Sequence, residues 1–185
     1  MDRMDSGRLL PNLPALALVA VAVAGCSSAG NGLSGLSLGG NGPRPVDACT
    51  MLASDQLAAI VGTPGPFTGV PQDPADDGTP VWGCIWGTQK SSVDLRELTA
   101  GQFDDTNAPD PDTVDTPLSG IGDLAKLQKN RSDGTNSYVY FRTGGRYYEV
   151  QVVVDRYGYE DAPNAGHEAS AAQFLAKIMA PRLSH

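Results

Sequence analysis

A pair of adjacent glycines near the end of the chain gives the strongest constraint on how it folds. Gly144-Gly145 separates two segments, 137–143 and 146–155, that are rich in tyrosine and β-branched residues. Two glycines can adopt the positive φ angles of a type I′ turn without steric cost, and this turn matches the twist of paired strands. The pattern therefore predicts an antiparallel β-hairpin over residues 137–155.

Alternating apolar residues predict further strands upstream of the hairpin. These cover residues 81–86, residues 92–98, and a segment that runs from a turn at 120–125 to about Lys129. Residues 63–80 are rich in Pro, Gly and Asp and are interpreted as a long loop, with room for a short edge strand near Phe67–Val70. Residues 99–117 contain five Asp and three Pro and are interpreted as a solvated acidic loop.

Two helices are expected at the ends of the folded region. The first covers residues 54–62, with Ser54 as N-cap and Gly62 as the terminating glycine. The second covers about 165–180 and is stopped by Pro181. Because the strands are contiguous and the helices flank them, the expected class is α+β. We expect one antiparallel sheet of about five strands, with the N-terminal and C-terminal helices packed on one face.

The N-terminal segment predicts where the protein is located rather than an element of its fold. An apolar run of Ala, Leu, Val and Gly ends in Val23-Ala-Gly-Cys26, the pattern of a bacterial lipoprotein signal. The run is too short to span a membrane, which needs about 20 apolar residues. We expect cleavage before Cys26, attachment of diacylglycerol to its thiol through a thioether, with fatty acyl chains such as palmitate, and attachment to the extracytoplasmic face of the cell membrane. An ordinary secretory signal with an incidental Cys26, or a retained anchor, are the alternatives, and Met4 is a second possible start.

Composition divides the chain into three parts. Residues 1–25 form the signal peptide, residues 26–45 form a flexible tether of Gly, Ser and Asn, and residues 46–185 form the α+β globular domain. The formal net charge of −8, with no basic run, argues against nucleic acid as a partner and against charge-driven docking on anionic lipids. Membrane attachment is therefore expected through the lipid on Cys26.

Two cysteines remain once Cys26 is assigned to lipid. In an oxidising compartment Cys49 and Cys84 are expected to form a disulfide, and a reactive thiol or metal pair is the alternative. No catalytic residue, metal ligand or cofactor is assigned. His167-Glu begins like the H-E-x-x-H zinc motif but lacks the second His, and His167 is expected to be solvated in the first turn of the last helix. The aspartates of 99–117 lack the Gly and Glu of an EF-hand.

The hairpin tyrosines offer a possible ligand surface. Alternation places Tyr138 and Tyr140 on one face of the sheet, opposite Val139 and Phe141. Either an exposed tyrosine stripe binds a ligand, or the stripe is covered or forms ordinary surface. The candidate residues of this surface are Tyr138, Tyr140, Tyr147 and Tyr148.

Several short markers occur behind the lipoprotein signal in a definite order. This order resembles that of the actinobacterial lipoproteins of the domain-of-unknown-function thirty-five fifty-eight family, over about residues 46–180. The resemblance implies an envelope lipoprotein with a Cys49–Cys84 bridge, and it implies no activity. The markers are Asp47-Ala-Cys49 with Leu52, the Leu57–Gly62 helix end, Cys84-Ile-Trp86, Gly120-Ile-Gly-Asp-Leu-Ala125 and the C-terminal amphipathic helix.

Three functions follow as hypotheses. The first is a non-enzymatic, lipid-anchored module that binds an envelope protein, glycan or small ligand. The second is a carrier that holds a lipid or small apolar ligand in a cavity between sheet and helices. The third is an enzyme, which would need titratable groups converging in one cleft; the candidates are Asp123, Glu149, Asp155 and His167.

Overall fold

A single antiparallel sheet of seven strands forms the framework of the domain. The computed structural model describes residues 44–88, 90–154 and 164–185. The order across the sheet is β1-β2-β3-β7-β6-β5-β4, which puts β7 at the centre. The strands are β1 (Thr68–Pro71), β2 (Gly83–Gly87), β3 (Ser92–Leu98), β4 (Thr113–Leu118), β5 (Leu124–Asn130), β6 (Tyr138–Thr143) and β7 (Arg146–Val153).

Three α-helices complete the α+β class that the sequence predicts. They are α1 (Ser54–Val61), α2 (Ala100–Asp105) and α3 (Ala165–Met179). Short 3₁₀ turns at Ala48–Thr50 and Ala180–Arg182 precede α1 and follow α3. The second of these turns contains Pro181, so α3 ends just before the proline, as expected from its missing N–H.

The hairpin prediction is confirmed in both its strands and its turn. β6 and β7 pair in register from Tyr138 opposite Gln151 to Thr143 opposite Arg146. Gly144 and Gly145 have φ angles of 57° and 76°, the pair of positive values that a type I′ turn requires. Residue 155, the predicted end of the second strand, lies outside the described residues.

The sheet has seven strands rather than the predicted five or so, because edge strands give a weak sequence pattern. β4 falls inside the stretch that we interpreted as an acidic loop. An edge strand has one neighbour and buries little, and no residue of β4 is fully buried. β1 lies within one residue of the short edge strand for which the sequence left room near Phe67–Val70, and it is exposed along its whole length.

The same acidic stretch also contains the unpredicted helix α2. Its start is a capping box, in which the Thr99 hydroxyl accepts from the Gln102 N–H at 3.1 Å and the Gln102 side chain accepts from the Thr99 N–H at 2.8 Å. The T-x-x-Q signal is visible in the sequence. The N-cap of α1 is also corrected: Ala53 holds that position, and the Ser54 hydroxyl instead accepts from the Phe67 N–H at 2.7 Å.

The two faces of the sheet carry different side chains. On the inner face, alternate strand residues such as Val93, Val139 and Val150 join one apolar cluster with side chains of α1 and α3. α3 packs against β6 and β7. The opposite side, called here the outer face, carries Arg96, Tyr140 and Glu149, which are paired across neighbouring strands. α2 belongs to the outer face, because its Phe103 clusters with Leu98 and Tyr140.

Candidate functional site

A disulfide bond ties the start of the domain to the sheet. Cys49 and Cys84 are bonded, with an S–S distance of 2.01 Å and their Cα atoms 5.1 Å apart, so the predicted pairing is confirmed. The bond joins the first 3₁₀ turn to β2. Beside it the buried Trp86 donates from Nε1 to the Cys49 carbonyl at 3.3 Å. The segment that follows the predicted tether is therefore covalently fixed to the second strand.

A short N-terminal strap (Arg44–Asp47) precedes this bond and is held by three further contacts. The Arg44 guanidinium lies 4.3 Å from the ring centroid of Trp82 and forms an ion pair with Glu97. The Trp82 indole N–H donates to the Pro45 carbonyl at 3.0 Å. Burial opposes the charged form of Arg44, yet its hydrogen bond to Glu97 raises its pKa overall. The strap was not predicted, because its partners are distant in sequence.

Three of the four candidate tyrosines lie on the outer face. The rings of Tyr138 and Tyr140 stack, with centroids 5.9 Å apart and planes inclined by 19°. Tyr147 contacts Phe103 of α2, with ring centroids 4.7 Å apart. Tyr148 points to the inner face, where it is fully buried against Phe141 and is no part of an exposed surface. Strand alternation alone separates Tyr147 from Tyr148.

A row of three charged side chains and Tyr140 crosses the outer face. Lys126, Tyr140, Glu149 and Arg96 lie directly opposite one another on successive strands β5, β6, β7 and β3. Arg96 donates twice to Glu149, at 3.0 Å from both Nε and Nη2. Burial, followed by the negative charge of Glu149, raises the pKa of Tyr140. Glu149 is thus already paired with a cation within the protein.

The segment after α2 covers one end of this row. The Thr106 carbonyl accepts from the Lys126 ammonium and, at 3.2 Å, from the Gln128 amide. Lys126 also pairs with Asp115 at 2.7 Å. The acidic stretch interpreted as a solvated loop therefore supplies a partner for a lysine that is only 9% exposed. Within the described ranges, no group of three or more metal-ligating side chains occurs.

The residues named for an enzymatic site have separate partners. Glu149 pairs with Arg96 on the outer face, and Asp123 lies 3.9 Å from Arg142. His167 lies in the first turn of α3, where its Nε2 donates to the Val61 carbonyl at 2.7 Å. Its side chain is exposed, as expected, but it also links α3 to the end of α1. Residue 155, the fourth candidate, lies outside the described part of the chain.

A cleft of about 870 Å³ opens at the end of the sheet remote from the strap. It is lined by the loop between α1 and β1, by the turn between β2 and β3, and by Val154 and Asn164. β2 begins at Gly83, next to Trp82 and the strap, and ends at Gly87 in the cleft wall. The strap and the cleft are therefore separated by the length of β2, about 16 Å at 3.3 Å per residue.

The targeting features predicted from the sequence, Cys26 and most of the tether, lie outside the described residues. Among the helices that the structure describes, none combines the length and the apolar character that a membrane crossing demands. The chain matches no protein family model, no curated protein and no solved structure, so the case for its function rests on its own residues.

Proposed function

We propose that the protein is a lipid-anchored lipoprotein of the cell envelope whose domain is a non-enzymatic binding module. One observation carries the proposal: the apolar run that ends in Val23-Ala-Gly-Cys26, followed by a Gly- and Ser-rich segment up to Arg44. Acyl chains on Cys26 would hold the protein at the extracytoplasmic membrane face, with about 0.8 kcal/mol contributed by each buried CH₂. Membership of the lipoprotein family that the chain resembles is part of this proposal.

The attachment of the domain to its tether supports this assignment. A disulfide fits an oxidising compartment outside the cytoplasm. The strap holds Arg44 and Pro45, the last two residues of the predicted tether, and the Cys49–Cys84 bond follows only a few residues later. A domain held at a surface by its N-terminus benefits from such a fixed starting point, because thermal motion of the tether then does not fray the first helix.

The outer face and the far cleft supply surface for a binding role. Both terminal helices lie on the inner face in this proposal, which leaves the outer face to α2 and to the tyrosine stripe. The charges on that face are paired with one another, Arg96 with Glu149 and Lys126 with Asp115.

Mass spectrometry of the full chain purified from bacterial membranes tests the anchor. We expect the N-terminal fragment to begin at Cys26 and to carry a diacylglyceryl thioether. In the Cys26→Ala variant the modification and the membrane fraction should both be lost, whereas Ser27→Ala, one residue away, should retain them. A fragment that begins at an unmodified Cys26, or an intact chain that begins at Met1, would overturn the proposal.

The carrier hypothesis is tested on the same sample. Extraction of the purified protein with organic solvent, followed by mass spectrometry, would reveal a noncovalent apolar ligand. We expect no such ligand at a ratio near one per chain. Recovery of one lipid species in stoichiometric amount, with the thioether still on Cys26, would favour the carrier over the binding module.

A further inference from the structure

We propose that the cleft at the far end of the sheet is a binding site for an acidic sugar. Its volume of about 870 Å³ suits a ligand of one or two sugar rings, since small-molecule sites typically measure about 300–1,000 Å³. The choice of an envelope sugar rests on the proposed function. The cleft itself follows from the geometry of the described residues.

The walls of the cleft offer two kinds of contact. Pro64, Pro66 and Val154 present apolar carbon, while Thr68, Lys90 and Asn164 contribute polar side chains. A pyranose ring has the complementary character, with C–H groups on its faces and hydroxyl groups around its rim. Sites for small ligands combine apolar walls and a few placed polar groups in this way.

The positive charge in the cleft has no partner among the described residues. Lys90 is the only charged residue among the described lining residues, and no ion pair or side-chain hydrogen bond joins its ammonium to another described residue. The turn that carries it is fixed by the Thr88 hydroxyl, which accepts from the N–H groups of Lys90 at 3.2 Å and Ser91 at 3.0 Å. In a chain with a net charge of −8, a cation on the wall of a cleft favours an anionic ligand.

One wall of the cleft also contains a buried polar atom that has no partner among the described residues. This atom is the hydroxyl oxygen of Thr63. Buried hydroxyls are normally hydrogen-bonded, and an unsatisfied one costs free energy, so this wall is less stable than a fully hydrogen-bonded one would be. Thr63 follows Gly62, whose φ of 74° ends α1 and directs the chain along the cleft.

The position of the cleft suits a site that is presented to the envelope. The strap brings the predicted tether to the start of β2, and the cleft lies beyond the other end of that strand. A ligand held between Pro66 and Lys90 therefore lies on the side of the domain remote from the point of attachment. A carboxylate on the sugar would pair with Lys90, and its ring hydroxyls would reach Thr68 and Asn164.

A pair of matched sugars tests the proposal on the full chain in detergent. N-acetylmuramic acid and N-acetylglucosamine share one ring and differ by a lactyl ether that bears a carboxylate. In ligand-observed NMR titrations we expect saturable binding of the acidic sugar and weaker binding of the neutral one. Lys90→Met should weaken binding of the acidic sugar by about fivefold, the effect of one partly exposed ion pair, and should leave the neutral sugar unchanged.

Two controls make the outcome decisive. Lys177→Met removes an exposed lysine near the other end of α3 and should change neither titration. Thr68→Val should weaken both sugars, because it removes a hydroxyl without removing charge. If the acidic sugar showed no saturable binding, the proposed site would be wrong. It would also be wrong if Lys90→Met and Lys177→Met weakened binding equally. The thioether on Cys26 is measured separately, so the proposed anchor and the proposed sugar site are tested independently.

Discussion

The guanidinium of Arg44 lies over the indole ring of Trp82, with its central carbon 4.3 Å from the ring centroid. The same side chain pairs with Glu97 at the end of β3, and Glu97 pairs in turn with Arg146 at 2.9 Å. Arg44 thus fastens the N-terminal strap to two places, Trp82 just before β2 and Glu97 in β3. The strap contains no regular secondary structure of its own, so these contacts determine whether it stays docked.

Removal of that side chain should release the strap. For Arg44→Ala we expect amide exchange of Cys49–Met51, whose N–H groups donate to Asp47 and Ala48, to rise by about fivefold, which corresponds to a loss of about 1 kcal/mol from the cation–π contact and the ion pair. Exchange in β6 and β7 should not change. Hydrogen–deuterium exchange with mass spectrometry measures both regions at once.

The matched control is Arg142→Ala, since Arg142 makes a looser ion pair with Asp123 at 3.9 Å. Exchange of Cys49–Met51 should be the same in this variant as in the parent protein. If both arginine variants accelerated this exchange equally, or if neither did, the contacts at Arg44 would not be what holds the strap.

The disulfide should contribute much more to stability than the strap does. The bond closes a loop across a sequence separation of 35 residues. The chain-entropy model gives about 4 kcal/mol for a loop of this length. We expect the double variant Cys49→Ser, Cys84→Ser to lose roughly that amount of unfolding free energy in urea denaturation followed by circular dichroism. Cys26→Ala should unfold at the same urea concentration as the parent, and a loss in that variant would show that the effect is not specific to the bond.

Both edges of the sheet carry a proline whose nitrogen faces outward. The backbone N–H of Gln72 donates to the Gly83 carbonyl, so the nitrogen of the adjacent Pro71 faces away from β2. The backbone N–H of Arg131 donates to the Asp112 carbonyl, so by alternation along β4 the nitrogen of Pro117 faces away from β5. Proline at an edge removes a donor that a second sheet could otherwise use.

Replacement of these prolines should therefore promote association. We expect Pro71→Val and Pro117→Val to raise the weight-average mass at increasing concentration, measured by light scattering after size-exclusion chromatography. Pro109→Val, in the exposed segment between α2 and β4, serves as the control and should behave like the parent. If the parent and the three variants had the same mass at every concentration, the edge prolines would not be what prevents association.

Stability should fall in alkaline solution because of Tyr140. Burial and the nearby Glu149 raise the pKa of its phenol, so the folded protein retains a proton that the unfolded chain releases above about pH 10. The folded state then binds more protons than the unfolded state, and the unfolding free energy decreases as the pH rises through this range. Urea midpoints measured on either side of about pH 10 should diverge for the parent.

Tyr140→Phe should reduce that divergence, because phenylalanine does not titrate. Part of the slope should persist, since burial also raises the pKa of Tyr148. A slope identical to that of the parent would contradict the assignment of the effect to Tyr140.

The elements that the sequence predicts well are those whose burial is regular. β3 has the predicted bounds, and the hairpin follows from alternation and from two glycines. β4 was missed because an edge strand that contains Asp115 and Pro117 has no apolar repeat to detect. α2 was missed because the Asp and Pro content of its surroundings outweighed its capping box.

The candidate sites were harder to predict because they depend on contacts between distant residues. Tyr148 was grouped with Tyr147, although adjacent strand residues face opposite sides of a sheet. The pairing of Arg96 with Glu149 joins residues that are 53 positions apart, and it follows only once β3 is known to lie beside β7. The cleft brings together three separate segments, none of which carries a recognisable motif.

The Cys49–Cys84 bond also decides how mechanical load would travel through the domain. Tension applied at Arg44 reaches Cys49 first and then has a covalent route into β2, which is hydrogen-bonded on both sides. α1 and β1 lie within the loop that the bond closes, so they are bypassed by the pull. A force strong enough to peel away the strap would thus be transferred to the interior of the sheet, and the part of the chain that forms one wall of the cleft would be spared.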